Sequence, residues 1–179
     1  MIDALRDDTS LTGWIGGADA ASAEMESASK TAAQESTSIH VRLLASDTIA
    51  SRLAAELIRD HADISGAEFS FRPDLDLIPD LQVFDAESFG NGIRHLVRRV
   101  RDLLEERGEL MGTQSAGTCA INITGGYKTT LPYLTVLGEL YVVAIRYKFG
   151  ETDGMLSIPQ GPLALDEDLF RQHDAQFAA

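Results

Sequence analysis

The chain is short of cysteine, of basic charge and of long apolar runs, and each shortage removes a class of protein. Cys119 is the sole cysteine among 179 residues, so no internal disulfide can form. It lies in an apolar run and is expected to serve as packing. Fifteen Lys and Arg stand against 28 Asp and Glu, a net charge of −13. That balance argues against a broad duplex DNA-binding surface. It leaves room for a small polyanion in a locally positive pocket. No apolar run approaches the ~20 residues that span a bilayer. The first residues carry Asp3, Arg6, Asp7 and Asp8 where a signal peptide has its apolar core. No membrane partner is expected, and the cytoplasm is the compartment these absences indicate. The four histidines, His40, His61, His95 and His173, are scattered, and no His/Cys/Asp cluster has metal-ligand spacing. Neither a metal nor another cofactor is expected.

What remains is an ordinary globular composition, 44% apolar and 24% charged, long enough for one domain with a real core. Residues 1–37 form an N-terminal helical segment of weak pattern. Residues 18–33 are rich in Ala, Ser and Glu, with Met25 as their large apolar residue and Trp14 and Ile15 as a packing anchor nearby. Residues 39–45 alternate and then become continuously apolar, as a strand does when it enters a core. Ser46-Asp47-Thr48 offers an N-cap, and Ile49, Leu53, Leu57 and Ile58 mark one helix face. Residues 68–72 read as a short strand stopped by Pro73, followed by a loop to Pro79. Phe89, Ile93, Leu96, Val97, Val100, Leu103 and Leu104 then give a long amphipathic helix ending near Gly108. Its outer face carries Arg94, Arg98 and Arg101, either a solvated face or a partner surface. Residues 141–147 and 155–158 complete the strands. Asp74, Asp76, Asp80, Asp85 and the tail charges Asp166, Glu167 and Asp168 are expected to be solvated. Alternating strands and helices predict an α/β fold, a doubly wound and mainly parallel sheet with helices on both faces. Ligands in such sheets sit beyond the carboxyl ends of strands, where residues 46–48 and 124–128 both fall.

The second of those loops carries the most chemistry. Ile121-Asn122-Ile123-Thr124-Gly125-Gly126-Tyr127-Lys128-Thr129-Thr130 reads as buried strand, tight turn and helix start. Backbone N–H groups, a helix dipole and an ammonium together suit a phosphate. A Walker A loop is excluded because Tyr127 separates Gly126 from Lys128 and no glycine stands about five residues upstream. A dinucleotide fingerprint is excluded because Gly125 and Gly126 are adjacent.

Asn122-x-Thr124-Gly125-Gly126-Tyr127-Lys128 with Pro132, Leu134 and Gly138 behind it resembles the signature of CRISPR-associated Rossmann-fold (CARF) domains, in the group of Csm-six-type effectors and archaeal ring nucleases. Ala45-Ser46-Asp47-Thr48 with Arg52 to Ala55, the turn Phe84 to Phe89, the ending Met155 to Pro159, and Ala21-Ser22-Ala23-Glu24 are similar to the same family. The resemblance covers about residues 20–165. It implies a Rossmann-like core over 38–165 and an acidic tail over 166–179. It further implies a two-fold homodimer that binds a cyclic oligoadenylate second messenger, with the tetra- or hexa-adenylate as the expected ring. On that resemblance Thr124, Gly125, Gly126 and Lys128 contact phosphate and ribose, with Tyr127 and Thr129 in the same ligand-binding motif. Asn122 orders the turn, and Ser46, Asp47 and Thr48 line the rim. The family opens with a strand ending in Gly-Thr-Ser. Here Asp8-Thr9-Ser10-Leu11 echoes that loop without a strand before it.

Three activities follow as alternatives. As a ring nuclease, the chain would cleave its messenger without a metal, Lys128 being the catalytic residue that stabilises charge on the phosphate. As a sensor or sponge it would only bind. The weakest alternative is a generic α/β protein acting on a mononucleotide. The roughly twenty residues after the last strand are expected to hold no effector domain.

Overall fold

The computed structural model describes residues 12–13, 15, 22–82, 85–108, 119–150 and 153–161. Trp14, the Asp8–Leu11 echo and the acidic tail lie outside them. Among the described residues from Ala23 onward the elements follow in the order α1 (Ala23–Glu35), β1 (Ile39–Arg42), β2 (Ala45–Ser46), α2 (Ile49–His61), β3 (Ala67–Ser70), α3 (Pro73–Asp76), β4 (Leu77–Ile78), α4 (Ala86–Glu106), β5 (Ala120–Asn122), α5 (Leu131–Tyr141), β6 (Ala144–Tyr147) and β7 (Leu156–Ile158). A single 3₁₀ turn, Lys128–Thr130, leads into α5. The α/β alternation and the prevailing parallel pairing are as expected. Hydrogen bonding groups the strands into small sheets: β1 with β3 and β2 with β4, both parallel, and β5-β6-β7, in which β7 runs antiparallel.

Two cores flank the strands, and alternation at residues 43–45 explains how. Leu43 and Ala45 join a core with Met25 and Ala28 of α1 and Ala55, Leu57 and Ile58 of α2. Leu44, pointing the other way, packs against a second core, to which α4 gives Ile93, Leu96, Val100 and Leu104 and α5 gives Leu137 and Tyr141. At Gly138 a Cβ would stand 2.5 Å from Ile145 Cγ1, so the missing side chain lets α5 lie directly on β6.

Helix limits follow local chemistry. Thr48 caps α2, its hydroxyl accepting from Ser51 N at 3.3 Å. Asp85 caps α4 through Ser88 N at 2.9 Å; hydrogen bonds from Ser88 hold its carboxyl below the ordinary range.

Four expectations are corrected. Residues 39–45 are not one ladder: β1 stops at Arg42 and pairing resumes at Ala45, because the partner chain detours through α3. The stretch from Pro73 to Pro79 is not an open loop. Pro73 opens α3 at a position that needs no N–H. Asp76 is not solvated but fully buried, accepting from Arg42 Nη1 at 3.2 Å, Arg99 Nη2 at 2.8 Å and Arg72 N at 2.7 Å. Tyr141 is not a strand residue: it shares a buried face with Leu137 and Gly138. Val142 ends the helix at φ +54°, and Val143 N returns to Gly138 O at 3.0 Å. Burial and the Glu105 carboxylate, 2.9 Å from its hydroxyl, push Tyr141 up to about 12.

Candidate functional site

In β5, Ile121 faces the α4–α5 core, as does Ile123 just beyond it, while Asn122 between them turns to the opposite side. From there Asn122 organises the exit of the strand. Its Oδ1 accepts from Thr124 N at 3.0 Å and from Thr124 Oγ1 at 2.7 Å, a side chain standing in for a backbone turn. Thr124 Oγ1 in turn accepts from Lys148 N at 2.9 Å, which locks the exit of β6 to the exit of β5. Gly126 then adopts φ +88°, a region closed to most side chains. Tyr127 packs on the core, and its carbonyl accepts from Thr130 N at 2.9 Å and Thr130 Oγ1 at 2.6 Å. Thr130 is buried by this, whereas Lys128 and Thr129 stay exposed. Among the described residues no hydrogen bond or ion pair engages the Lys128 ammonium. The helix proper begins at Leu131, and Lys128 heads the 3₁₀ turn that leads into it. The loop thus presents an exposed cation near Gly126, where an added Cβ would meet nothing within 4 Å, while the Glu24 side chain lies against Gly125.

Residues 46–48 occupy the equivalent place at the end of β2, with Ser46 its last residue, and behave differently. Ser46 is buried; its N donates to Ser51 Oγ at 3.1 Å and its hydroxyl meets Thr48 Oγ1 at 3.1 Å. Asp47 spends both carboxylate oxygens on the chain after β4, accepting from Asp80 N at 3.1 Å and Gln82 Nε2 at 2.9 Å. Thr48 caps α2. Among the described residues no hydrogen bond joins these three to residues 124–129.

Sequence reasoning missed the contribution of α1. Ser27, with no exposure, accepts from Asn122 Nδ2 at 2.7 Å and donates to Glu24 O at 3.0 Å. Lys148, 6% exposed, pairs with Glu26 at 2.9 Å, and Arg146 pairs with Glu35. The signal was present as a period of two: Asn122 is in register with Arg146, and Lys148 follows two residues later on that same polar side. Elsewhere two of the histidines have partners within the fold. His40 Nε2 lies 2.7 Å from Ser70 Oγ and His95 Nδ1 lies 3.1 Å from Pro79 O. Arg94 and Arg101 pair locally with Asn91 and Asp102, while Arg98 is exposed. A hollow of about 800 Å³ beside Ser29, Ser36, Asp63 and Ser65 contains none of the candidate residues. Among the described residues no group of His, Cys, Asp and Glu could hold a metal, and no helix is long and apolar enough to cross a membrane.

A family model described as CRISPR-associated protein (Cas_APE2256) matches residues 19–161. No curated protein matches the chain. The family match takes in α1 and every later element, so the chain belongs to this CRISPR-associated family.

Proposed function

We propose that this member of a CRISPR-associated family binds a cyclic oligoadenylate at residues 124–128 and cleaves it as a metal-independent ring nuclease, with the tetra- or hexa-adenylate as ligand. One observation carries the reading: among the described residues Lys128 is exposed and unpaired at the head of a helix entry, two residues after Gly126. On an acidic chain, a cation left without a carboxylate at the carboxyl end of a parallel strand is a place for a phosphate. The Rossmann-like arrangement that the resemblance implies puts two copies of this loop about a dimer axis, each facing half of the ring. Tyr133 and Val136, one turn apart on α5 and both about half exposed, are suited to the dimer contact.

Cleavage in this reading uses the substrate's own nucleophile. A ribose O2′ forms a bond to the adjacent phosphorus and the P–O5′ bond breaks. The 2′-proton passes to water and the 5′-oxygen takes one from water. The product is a linear oligoadenylate ending in a 2′,3′-cyclic phosphate. Lys128 and the backbone N–H groups of the glycines stabilise the charge that develops on the phosphate. Thr124 holds the loop rather than the ligand, because its hydroxyl already serves Asn122 and Lys148 N.

A binding-only sensor or sponge is the second reading. It is favoured by the same commitment of hydroxyls, Thr124 to Asn122 and Thr130 to Tyr127, which leaves few groups near Lys128 to move a proton. Incubation with cyclic tri-, tetra- and hexa-adenylate in EDTA separates the two. Linear product establishes the nuclease, and tight binding without turnover establishes the sensor. Absence of binding to every ring overturns both.

A further inference from the structure

Behind the exposed Lys128 stands a second lysine in the opposite condition. The Lys148 side chain is 4% exposed, and its ammonium meets Glu26 Oε1 at 2.9 Å and Gly150 O at 3.4 Å. Its backbone cannot drift from the glycine loop, because Lys148 N is bound to Thr124 Oγ1. A buried ammonium requires an anion beside it. Here that anion comes from the first turn of α1, on a side chain that is 36% exposed. The pair is therefore asymmetric, a fixed cation with a carboxylate that reaches water by rotating its own side chain. Glu26 does not depend on Lys148 in return, since a carboxylate in the first turn of a helix is favoured by the N–H groups there.

Glu24, in the same turn, completes the pattern. A Cβ placed on Gly125 would fall 2.1 Å from Glu24 Oε1, so a carboxylate oxygen rests directly on the face of the glycine loop. Two oxyanions from α1 thus lie against this loop's neighbourhood, one on Gly125 and one on Lys148.

We propose that Lys148 is a second phosphate-binding cation of this loop, kept in place by Glu26, and that an anionic ligand enters by replacing Glu26 on Lys148 while Glu24 leaves Gly125. A phosphate or phosphodiester oxygen satisfies the buried ammonium as the carboxylate did, and the released glutamates pass to water. The exchange makes affinity a difference between two anions competing for one lysine. It also couples the ligand to α1, the helix that Ser27 ties to Asn122. The identity of the ligand rests on the function proposed above; the exchange itself does not.

The test titrates the full chain with cyclic tetra-adenylate, and separately with inorganic pyrophosphate, comparing Glu26→Gln, Lys148→Gln and the double variant. Glu26→Gln should bind each anion about tenfold more tightly and Lys148→Gln about tenfold more weakly. Adding Glu26→Gln to Lys148→Gln should bring no further gain, since the competition is gone. Should Lys148→Gln fail to fold, Glu26→Gln decides alone. A Glu26→Gln protein that melts lower without tighter binding makes the pair a staple and overturns the exchange. Tetra-adenylate binding with no gain in Glu26→Gln overturns the exchange and leaves the proposed function standing. A gain for pyrophosphate with no tetra-adenylate binding does the reverse. Failure of every variant to bind either anion overturns both.

Discussion

Residues 46–48 and residues 124–128 both leave parallel strands at their carboxyl ends and both lead into helices, yet they distribute their polar groups in opposite ways. In the first loop each side chain has a partner: Ser46 with Thr48, Thr48 with Ser51 N, and Asp47 with Asp80 N and Gln82. In the second, Asn122 and Thr124 are spent on shape while Lys128 has no partner among the described residues. The difference separates a loop whose polar groups are committed to the fold from the loop proposed above as the ligand site. Position at a strand's end selects candidates for a site, and unspent polar groups decide between them.

Substitutions that break this contrast should rank accordingly. Lys128→Ala is expected to have the largest effect, abolishing cleavage and weakening cyclic oligoadenylate binding at least tenfold with little change in melting temperature, measured by product formation and titration. Asn122→Ala comes next. It removes the acceptor for both Thr124 groups and the donor to fully buried Ser27, so affinity and stability should fall together, the latter by about 1–3 kcal/mol in denaturant unfolding. Thr48→Ala should cost about 1 kcal/mol through loss of the α2 cap and leave affinity within about twofold. Asp47→Ala is smallest, below about 1 kcal/mol, because its partners are exposed enough to turn to water. A loss of affinity in Thr48→Ala or Asp47→Ala as large as that in Lys128→Ala would return the first loop to the site.

Outside the two loops, Tyr141 reports on the α4–α5 core. With its hydroxyl pushed up to about 12 from the ordinary 10, the unfolded chain ionises first as pH rises. Stability should therefore be intact below pH 10 and fall between 10 and 12, a fall that Tyr141→Phe should lessen in thermal melts.

Large apolar residues at regular spacing made α2, α4 and the strand into residues 121–123 legible in the sequence, and the Asp47–Thr48 cap and the glycine loop followed from chemistry that is local in the chain. Helix α1 was blurred because its inner face is Met25, Ser27, Ala28 and Ala32. Small residues allow close approach, and a Cβ on Gly66 would stand 3.3 Å from Ala32 Cβ, yet they give no hydrophobic stripe. Its polar ties to Asn122, Arg146 and Lys148 join residues about a hundred positions apart, which spacing alone cannot pair. Asp76 was misplaced for a related reason. A carboxylate among Asp74 and Asp80 reads as solvated until Arg42 and Arg99 are brought to it from two other elements. Lys128, by contrast, was legible because its surroundings, a strand, two glycines and a helix entry, are all sequence neighbours.

The most direct measurement is a calorimetric titration of the wild-type chain, Lys128→Ala and Thr48→Ala with cyclic tetra-adenylate and hexa-adenylate. The account predicts one ring bound per two chains, binding lost or much weakened in Lys128→Ala and retained in Thr48→Ala. Equal affinity in the wild type and Lys128→Ala would contradict it and remove residues 124–128 from the site.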